Sequence, residues 1–388
     1  NLEEENLIHS GRNWVGDAFK HENIKTFAHD VPGLRTDLDC WLRSLMVAHS
    51  TSNTSSTVKV NGQQLIGQFY DAVQGGHEYR YLDTPEPKEV TFKVTGSKVD
   101  LTYTYNKSNF ESNAWLDYYE LVVPRTMEAL AGQTLMYSSQ AAEAASTKYK
   151  ISSSGFTLWN VSDLHNAYIQ ETSTDAGSQV FVLNNPTLDI QKYITYRGGA
   201  LLEPTFVGDI ANQNLHALDG VEYLMVVHPN FKEAAEKLAD FHRNHYGYTV
   251  AIAYTNQIYN EFSSGKQDVT AIRDLVKMIY DRGKTGSFPL RYLLMFGDGS
   301  YDYKGIKYPG SNFVPTYQSV NSYTPTMSHC SDDYYTFLDD TEGFWGIRTI
   351  KEGLDIGVGR LPVRTAETAM IMVDKIIRYH DPVTYGDW

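Results

Sequence analysis

The sequence predicts a chain in two parts: a β-sandwich or jelly-roll-like region over residues 1–215, then a doubly wound, mainly parallel α/β region over residues 216–388. Three observations carry this. Before Asn214, apolar and polar residues alternate at period two in short runs parted by Gly, Asn and Ser. After it, continuous apolar runs of strand length alternate with stretches of helical periodicity. The 388 residues exceed one typical domain, and 28 Tyr with 16 Phe and 6 Trp favour strands over much of the length.

The first part reads as strands in "STVKVNGQQL" (56–65), "KEVTFKVTGSKVDLTYTYN" (88–106) and "LDYYELVVPR" (116–125), with turns at Asn61-Gly62 and Gly96-Ser97. Further short strands are expected in "GFTLWNVSD" (155–163), "QVFVLNN" (179–185) and "KYITYRG" (192–198). The Ala-rich stretch 126–146 reads either as a helix or as strand and loop. In the second part, "VEYLMVVHP" (221–229) is apolar throughout, as a strand covered on both faces must be. A helix follows, with Phe231, Ala234, Leu238 and Phe241 on one stripe and Gly247 as its stop. "YTVAIAYT" (248–255) is the next strand, and Asp268 caps a helix whose stripe is Ile272, Leu275, Val276 and Ile279. "RYLLMFGDG" and "LDIGVGRLPV" supply two more strands, and "TAETAMIMVDKIIRYH" a last helix.

Composition excludes several roles. A net charge of −14 without a Lys/Arg cluster repels nucleic acid and anionic membrane surfaces alike. No apolar run approaches the roughly 18 residues of a membrane-spanning helix. Cys40 and Cys330 are too few and too far apart for a disulfide framework or a zinc set. The abrupt ends lead us to expect a portion of a longer polypeptide.

In an open parallel sheet, ligands and catalytic groups gather beyond the carboxyl ends of the strands. "FGDGSYDY" (296–303) therefore makes Asp298 and Asp302 candidate strand-end site residues, with Gly297 and Gly299 permitting close approach. His329-Cys330 resembles a nucleophile and its base only on paper, because adjacent side chains of an extended segment face opposite ways. The acidic run behind it offers hard oxygen ligands: Asp332, Asp333, Asp339, Asp340 and Glu342, with Gly343 breaking the chain. Of these, Asp339, Asp340 and Glu342 are the candidate calcium ligands.

Five segments of the α/β part resemble the gingipain family of cysteine peptidases: 213–242, 258–283, 291–303, "SDDYYTFLDD" (331–340) and "DIGVGRLPVRTAETA" (355–369). "SGRNWVGDAF" (10–19) and "AWLDYYELVVPR" (114–125) resemble segments that precede the peptidase domain in one branch of that family. The resemblance implies the first subdomain of a caspase-like peptidase domain and a Cys nucleophile with a His base. It places both of these beyond Trp388, so no catalytic residue is assigned in this chain and Cys330 is not the nucleophile. It also implies structural calcium near "LDDTEG", with no other cofactor required. The function implied is a cysteine endopeptidase that removes C-terminal secretion signals from type IX cargo. It would work on the outer membrane and cell surface of a Gram-negative bacterium, with secreted cargo as protein substrate and other secretion components as partners. The alternative expectation is a non-catalytic docking module on an inherited peptidase-like fold.

Overall fold

Residues of alternating polarity pair into antiparallel sheets, and the continuous apolar runs into a parallel one, in the computed structural model. It describes residues 3–380 apart from 74–80, 131, 186, 199–202, 287 and 343–352. Gly343 thus lies outside the described residues.

The first module is built from β1 (Gly16–Ala18), β2 (Ile24–Asp30), β3 (Cys40–His49), β4 (Thr54–Val60), β5 (Gln63–Tyr70), β6 (Lys88–Phe92), β7 (Lys98–Asn106) and β8 (Asn113–Val122). These form two four-stranded antiparallel sheets, in the orders β1-β8-β3-β6 and β2-β7-β4-β5. β7 shows why they face one another. Its Val99, Leu101, Tyr103 and Tyr105 all point inward and are fully buried, while the residues between them stay partly exposed. The buried tyrosines keep partners for their hydroxyls: Tyr103 with Ser44 Oγ at 2.9 Å, Tyr105 with Thr54 Oγ1 at 3.1 Å, Tyr70 with Ser56 Oγ at 2.8 Å. Asn61 and Gly62 both have positive φ and turn β4 into β5 as expected. Gly96-Ser97 instead carries the chain from one sheet to the other, since β6 pairs with β3 and β7 with β2 and β4.

A second, smaller β module has its own core around Met136, Tyr149, Ile151, Leu158, Phe181 and Tyr193. Its strands are β9 (Gln133–Tyr137), β10 (Ser146–Ile151), β11 (Thr157–Asn160), β12 (Tyr168–Ile169), β13 (Ser173–Asp175), β14 (Ser178–Asn184) and β15 (Lys192–Tyr196). They form sheets in the orders β10-β14-β13 and β12-β11-β15-β9. The Ala-rich stretch resolves to strand and loop. Pairing of β9 with β15 claims Gln133–Tyr137, and too few residues remain for more than the 3₁₀ turn Gln140–Glu143.

The α/β part is doubly wound. Its sheet has the order β17-β16-β18-β21, from β16 (Tyr223–Val227), β17 (Val250–Tyr254), β18 (Tyr292–Phe296) and β21 (Gly357–Leu361), and every pair is parallel. Between β18 and β21 lies a two-stranded ribbon, β19 (Tyr317–Gln318) with β20 (Cys330–Ser331). Among the described residues four α-helices accompany the sheet: α1 (Lys232–Tyr246), α2 (Thr255–Phe262), α3 (Val269–Thr285) and α4 (Ala366–Tyr379). The caps are those the sequence predicts at two ends, with Asp268 accepting from Thr270 N and Gly247 left-handed at φ 71°. Leu224, Val226, Leu293 and Met295 pack with the stripe of α3 on one face. Met225, Val227, Leu294 and Phe296 pack with α1 and α4 on the other. Burial on both faces is why these strands are apolar at every position. Among the described residues no helix is long and apolar enough to cross a membrane.

The sandwich and the α/β part are latched together by residues 9–14. Gly11 N donates to Gln318 Oε1 (3.2 Å), Arg12 N to Ser319 O (3.0 Å) and Asn13 N to Ser322 Oγ (2.8 Å). Tyr303 Oη donates to Arg12 O at 3.1 Å, and the rings of His9 and Trp14 stack with Tyr301. Gly11 has φ +79°, and a Cβ there would lie 2.5 Å from Asn321 O. Gly11→Ala is expected to destabilise the protein by roughly 1–3 kcal/mol, read as a lower urea midpoint.

A β-bulge adds to the latch. β8 pairs with β3 at Tyr118–Leu45 and then at Leu116–Met46, which leaves Asp117 unpaired and re-aimed. Burial pushes its carboxyl up from 3.8 to about 6 against the opposing Tyr323 hydroxyl beside it, with Glu3 adding a smaller push upward. The folded state therefore holds this proton more tightly than the unfolded chain. Asp117 stabilises fully below about pH 4, and its contribution is lost as the pH rises through 6. Asp117→Asn should flatten the pH dependence of Tm between pH 4 and 7. At neutral pH it should gain on the order of 2 kcal/mol, a figure reduced for the solvent this site still sees. An unchanged pH profile would show that Asp117 carries no such proton.

Candidate functional site

The order in which strands are added reverses between β16 and β18, because β17 lies on one side of β16 while β18 and β21 lie on the other. The carboxyl ends of β16 and β18 thus define the place where an open α/β sheet offers a crevice. His228 follows β16, and Gly297-Asp298 follow β18.

That crevice is filled by the protein itself. Asp298 O accepts from Phe313 N (3.0 Å) and Val314 N (3.1 Å), folding the loop after residue 310 over the strand ends. His228 packs edge-on against Phe313, with ring centroids 5.1 Å apart, and Phe231 lies 5.3 Å from the same ring. Gly297 makes this possible. Its φ is +145°, and an added Cβ would meet Val314 Cγ2 at 2.8 Å and Phe313 Cβ at 3.1 Å. The close approach foreseen from the glycine is real, and the approaching group is the chain's own loop. Burial lowers the pKa of His228, and its Nδ1 accepts from Asn230 N at 3.2 Å.

The two strand-end candidates separate. Asp298 remains at the rim, mostly covered, where its Oδ2 accepts from Arg364 Nε at 2.5 Å. Arg364 is 76% exposed, so Asp298 holds a guanidinium upright at the mouth of the sheet. Asp302 has no access to solvent. Its oxygens accept Ile306 N (2.8 Å), Lys307 N (2.6 Å) and Tyr308 N (2.6 Å), which makes it the organiser of a loop.

Arg360, on β21, went unnoticed in the sequence. Its Nε and Nη2 each reach an oxygen of Asp332 at 2.7 Å. Nη1 donates to Gly297 O (2.6 Å) and Val314 O (2.7 Å), and Nη2 also to Pro315 O (3.2 Å). Burial works against this charge, but Asp332, with Tyr335 and Asp298 behind it, outweighs burial and the guanidinium pKa is raised. The one charged residue in a strand otherwise made of Gly, Val and Leu was the available signal.

The acidic run is used for packing on α3. Asp332 belongs to Arg360, Asp340 pairs with Lys277 at 2.9 Å, and Asp339 lies 3.5 Å from Lys284. Glu342 turns its carboxylate back to Asp339 N (3.2 Å), and its carbonyl accepts from Arg273. Among the described residues, no three acidic, His or Cys side chains converge on a cation position. The expected calcium set therefore does not fit this arrangement: its carboxylates face lysines and a backbone amide. His329 and Cys330 are consecutive at the exposed end of the β19–β20 ribbon, and Cys40 is sealed in the sandwich core.

Replacing Arg360 by Ala strands Asp332 and three carbonyls, and is expected to cost about 3–5 kcal/mol. Arg360→Lys should recover only part of this, because one ammonium cannot span the same acceptors. Urea unfolding of the two variants measures the difference, and equal stabilities would mean that the fork geometry is dispensable.

Comparison with known proteins bears on what this scaffold is. The model of peptidase family C25 matches residues 216–388. The crystal structure of dimeric latent PorU from Porphyromonas gingivalis superposes with a TM-score of 0.82 at 23% identity, over 98% of this chain and 38% of that one. The chain thus spans less than two-fifths of the length of PorU, and at this identity the likeness is one of fold. A structure described as a protease matches 41% of the chain (17% identity, 28% of its own length, TM-score 0.29). An insecticidal delta-endotoxin from Bacillus thuringiensis matches 28% (11% identity, 19% of its own length, TM-score 0.22). Neither is similar enough to inform the fold. No curated protein matches. The β modules and the α/β part together have the fold of PorU, and residues 216–388, the α/β part, match the model of peptidase family C25.

Proposed function

We propose that this chain is a portion of a PorU-like cysteine endopeptidase that removes C-terminal secretion signals from cargo of the type IX system at the bacterial cell surface. The observation that carries the reading is the shared order of parts. Two β modules lead into a C25 region, and the likeness to PorU runs along 98% of the chain rather than through the peptidase region alone. Secreted proteins are then the substrates, and the β modules the surface that meets cargo or other secretion components.

Within this chain the residues act as scaffold. Cys40 is buried, with its thiol pKa raised by burial and by Asp39, and a thiolate is the form a nucleophile needs. Cys330 is exposed, but its neighbour His329 follows the alternation of an extended ribbon. We therefore assign the nucleophile and base to residues outside this sequence. The filled crevice at the strand ends supports the same assignment, since it leaves Arg364 and Asp298 as a rim and not as a reaction centre.

Hydrolysis of a mixed peptide library by this chain is expected at background and unchanged by Cys330→Ala. Turnover that depends on Cys330 would move the nucleophile into this region and overturn the scaffold reading. Signal removal is tested in the organism that makes the protein. Disrupting its gene should leave exported cargo carrying its C-terminal signals, seen by intact mass. Cargo processed normally would instead favour a docking module on a peptidase-like fold.

A further inference from the structure

The first module has four edge strands: β1 and β6 in one sheet, β2 and β5 in the other. An edge presents unpaired N–H and C=O groups, and proteins ordinarily guard it with charge or brevity. β1 has three residues and contains Asp17. β6 carries Lys88 and Glu89, and β2 carries Lys25 and Asp30. β5, "QQLIGQFY" (63–70), is eight residues long with no charge and no proline. Among the described residues it pairs with β4 alone. Its ladder skips Leu65, between Val58–Ile66 and Lys59–Gln64, and runs regularly from Ile66 to Tyr70. The edge stops there, because the next three amides are taken. Asp71 N donates to Asp83 Oδ2 (2.9 Å), Ala72 N to Asn53 Oδ1 (2.9 Å) and Val73 N to Ser50 O (2.8 Å).

Further features sit on this run. Phe69 stands 81% exposed on the outer face, opposite Ser55 of β4. Gly67 lies on the same face, and an added Cβ there would find open space apart from Gln64 Nε2 at 4.0 Å. A second backbone can therefore come close. Behind the edge, a slit between the two sheets is lined by Ser44, Ser56, Gln68, Tyr70 and Lys88. Gln68 Nε2 donates to Phe69 O at 2.8 Å, and its Oε1 is buried with no donor among the described residues. A buried acceptor in that state costs stability until something supplies a donor.

We propose that the Ile66–Tyr70 edge of β5 is a docking strand for an extended segment of exported cargo, which adds to the sheet beside β5. The proposal rests on the reading of exported proteins as substrates and names where the sandwich holds them. Main-chain pairing accepts any segment that can extend, which suits a component that must hold cargo of differing sequence. The added strand also lays a side chain over Phe69, a cross-strand contact of the kind that stabilises sheets. A net charge of −14 repels acidic segments. The occupant is thus a neutral or basic stretch of alternating apolar and polar residues.

The test uses the whole chain and a dansyl-labelled peptide of alternating Thr and Val, blocked at both ends. A second version is N-methylated at every amide, which keeps the side chains and removes the donors. Anisotropy is expected to show saturable binding of the first and at least about tenfold weaker binding of the second. Hydrogen exchange at 66–70 should slow when the first peptide is bound. Gly67→Lys and Phe69→Lys each put a charge on the edge outside the core, and should weaken binding about tenfold at unchanged Tm. No saturation up to about 1 mM peptide, or equal binding of the methylated version, would overturn the docking strand. Overlapping blocked peptides that cover the C-terminal signal of an exported protein from the same organism should include competitors. The two readings fail separately. Absence of any competitor overturns cargo as the occupant, while normally processed cargo in the disrupted strain overturns signal removal and leaves the competition result intact. A dimer of the free chain that Gly67→Lys dissolves would give the edge to a second copy and likewise sink the assignment to cargo.

Discussion

The carboxyl end of the parallel sheet is organised by one largely covered cation. A guanidinium placed inside a strand loses its water and needs both a counter-charge and acceptors for its N–H groups. Arg360 finds them in Asp332 and in the carbonyls of Gly297, Val314 and Pro315. These partners come from three separate stretches of chain, so satisfying one side chain dictates where each of them lies. The loop after residue 310 is drawn over the ends of β16 and β18, and Gly297 leaves room for it. What begins as a solvation requirement ends as a closed crevice.

The same requirement sets the fate of the acidic run. Asp332 is claimed by Arg360, and Asp339, Asp340 and Glu342 are brought down on the cationic side of α3, where Arg273, Lys277 and Lys284 meet them. Divalent cations bind where several carboxylates converge. Here each carboxylate has a different partner: Asp332, Asp339 and Asp340 each meet a separate cation, and Glu342 a backbone amide. The exposed pairs contribute little individually, and the carbonyl bonds made by Arg273 and Lys277 at Phe337 and Leu338 hold the loop more firmly.

Communication between the β modules and the C25 region passes through a narrow set of contacts. Residues 9–14 meet the α/β part between Tyr301 and Ser328, and the bulge at Asp117 adds a protonatable group at the same seam. The chain itself passes from the second β module to the α/β part through the exposed stretch 203–212.

By itself the sequence determined the class of each part and most elements of the C25 region. Double burial forces continuous apolar strands, and caps such as Asp268 and Gly247 act within a few residues of themselves. The family likeness was legible for a similar reason, since its segments lie in order along the chain. Tertiary structure decided everything that depends on a distant partner. β9 exists because β15 pairs with it, against the helical propensity of its neighbours. Asp298 and Asp302, four residues apart, part company because one meets Arg364 and the other three amides of its own loop. Asp339, Asp340 and Glu342 look like a ligand set until the lysines of α3 are placed beside them. Local chemistry can be read from neighbouring letters, but the destination of a charge depends on what the fold sets opposite it.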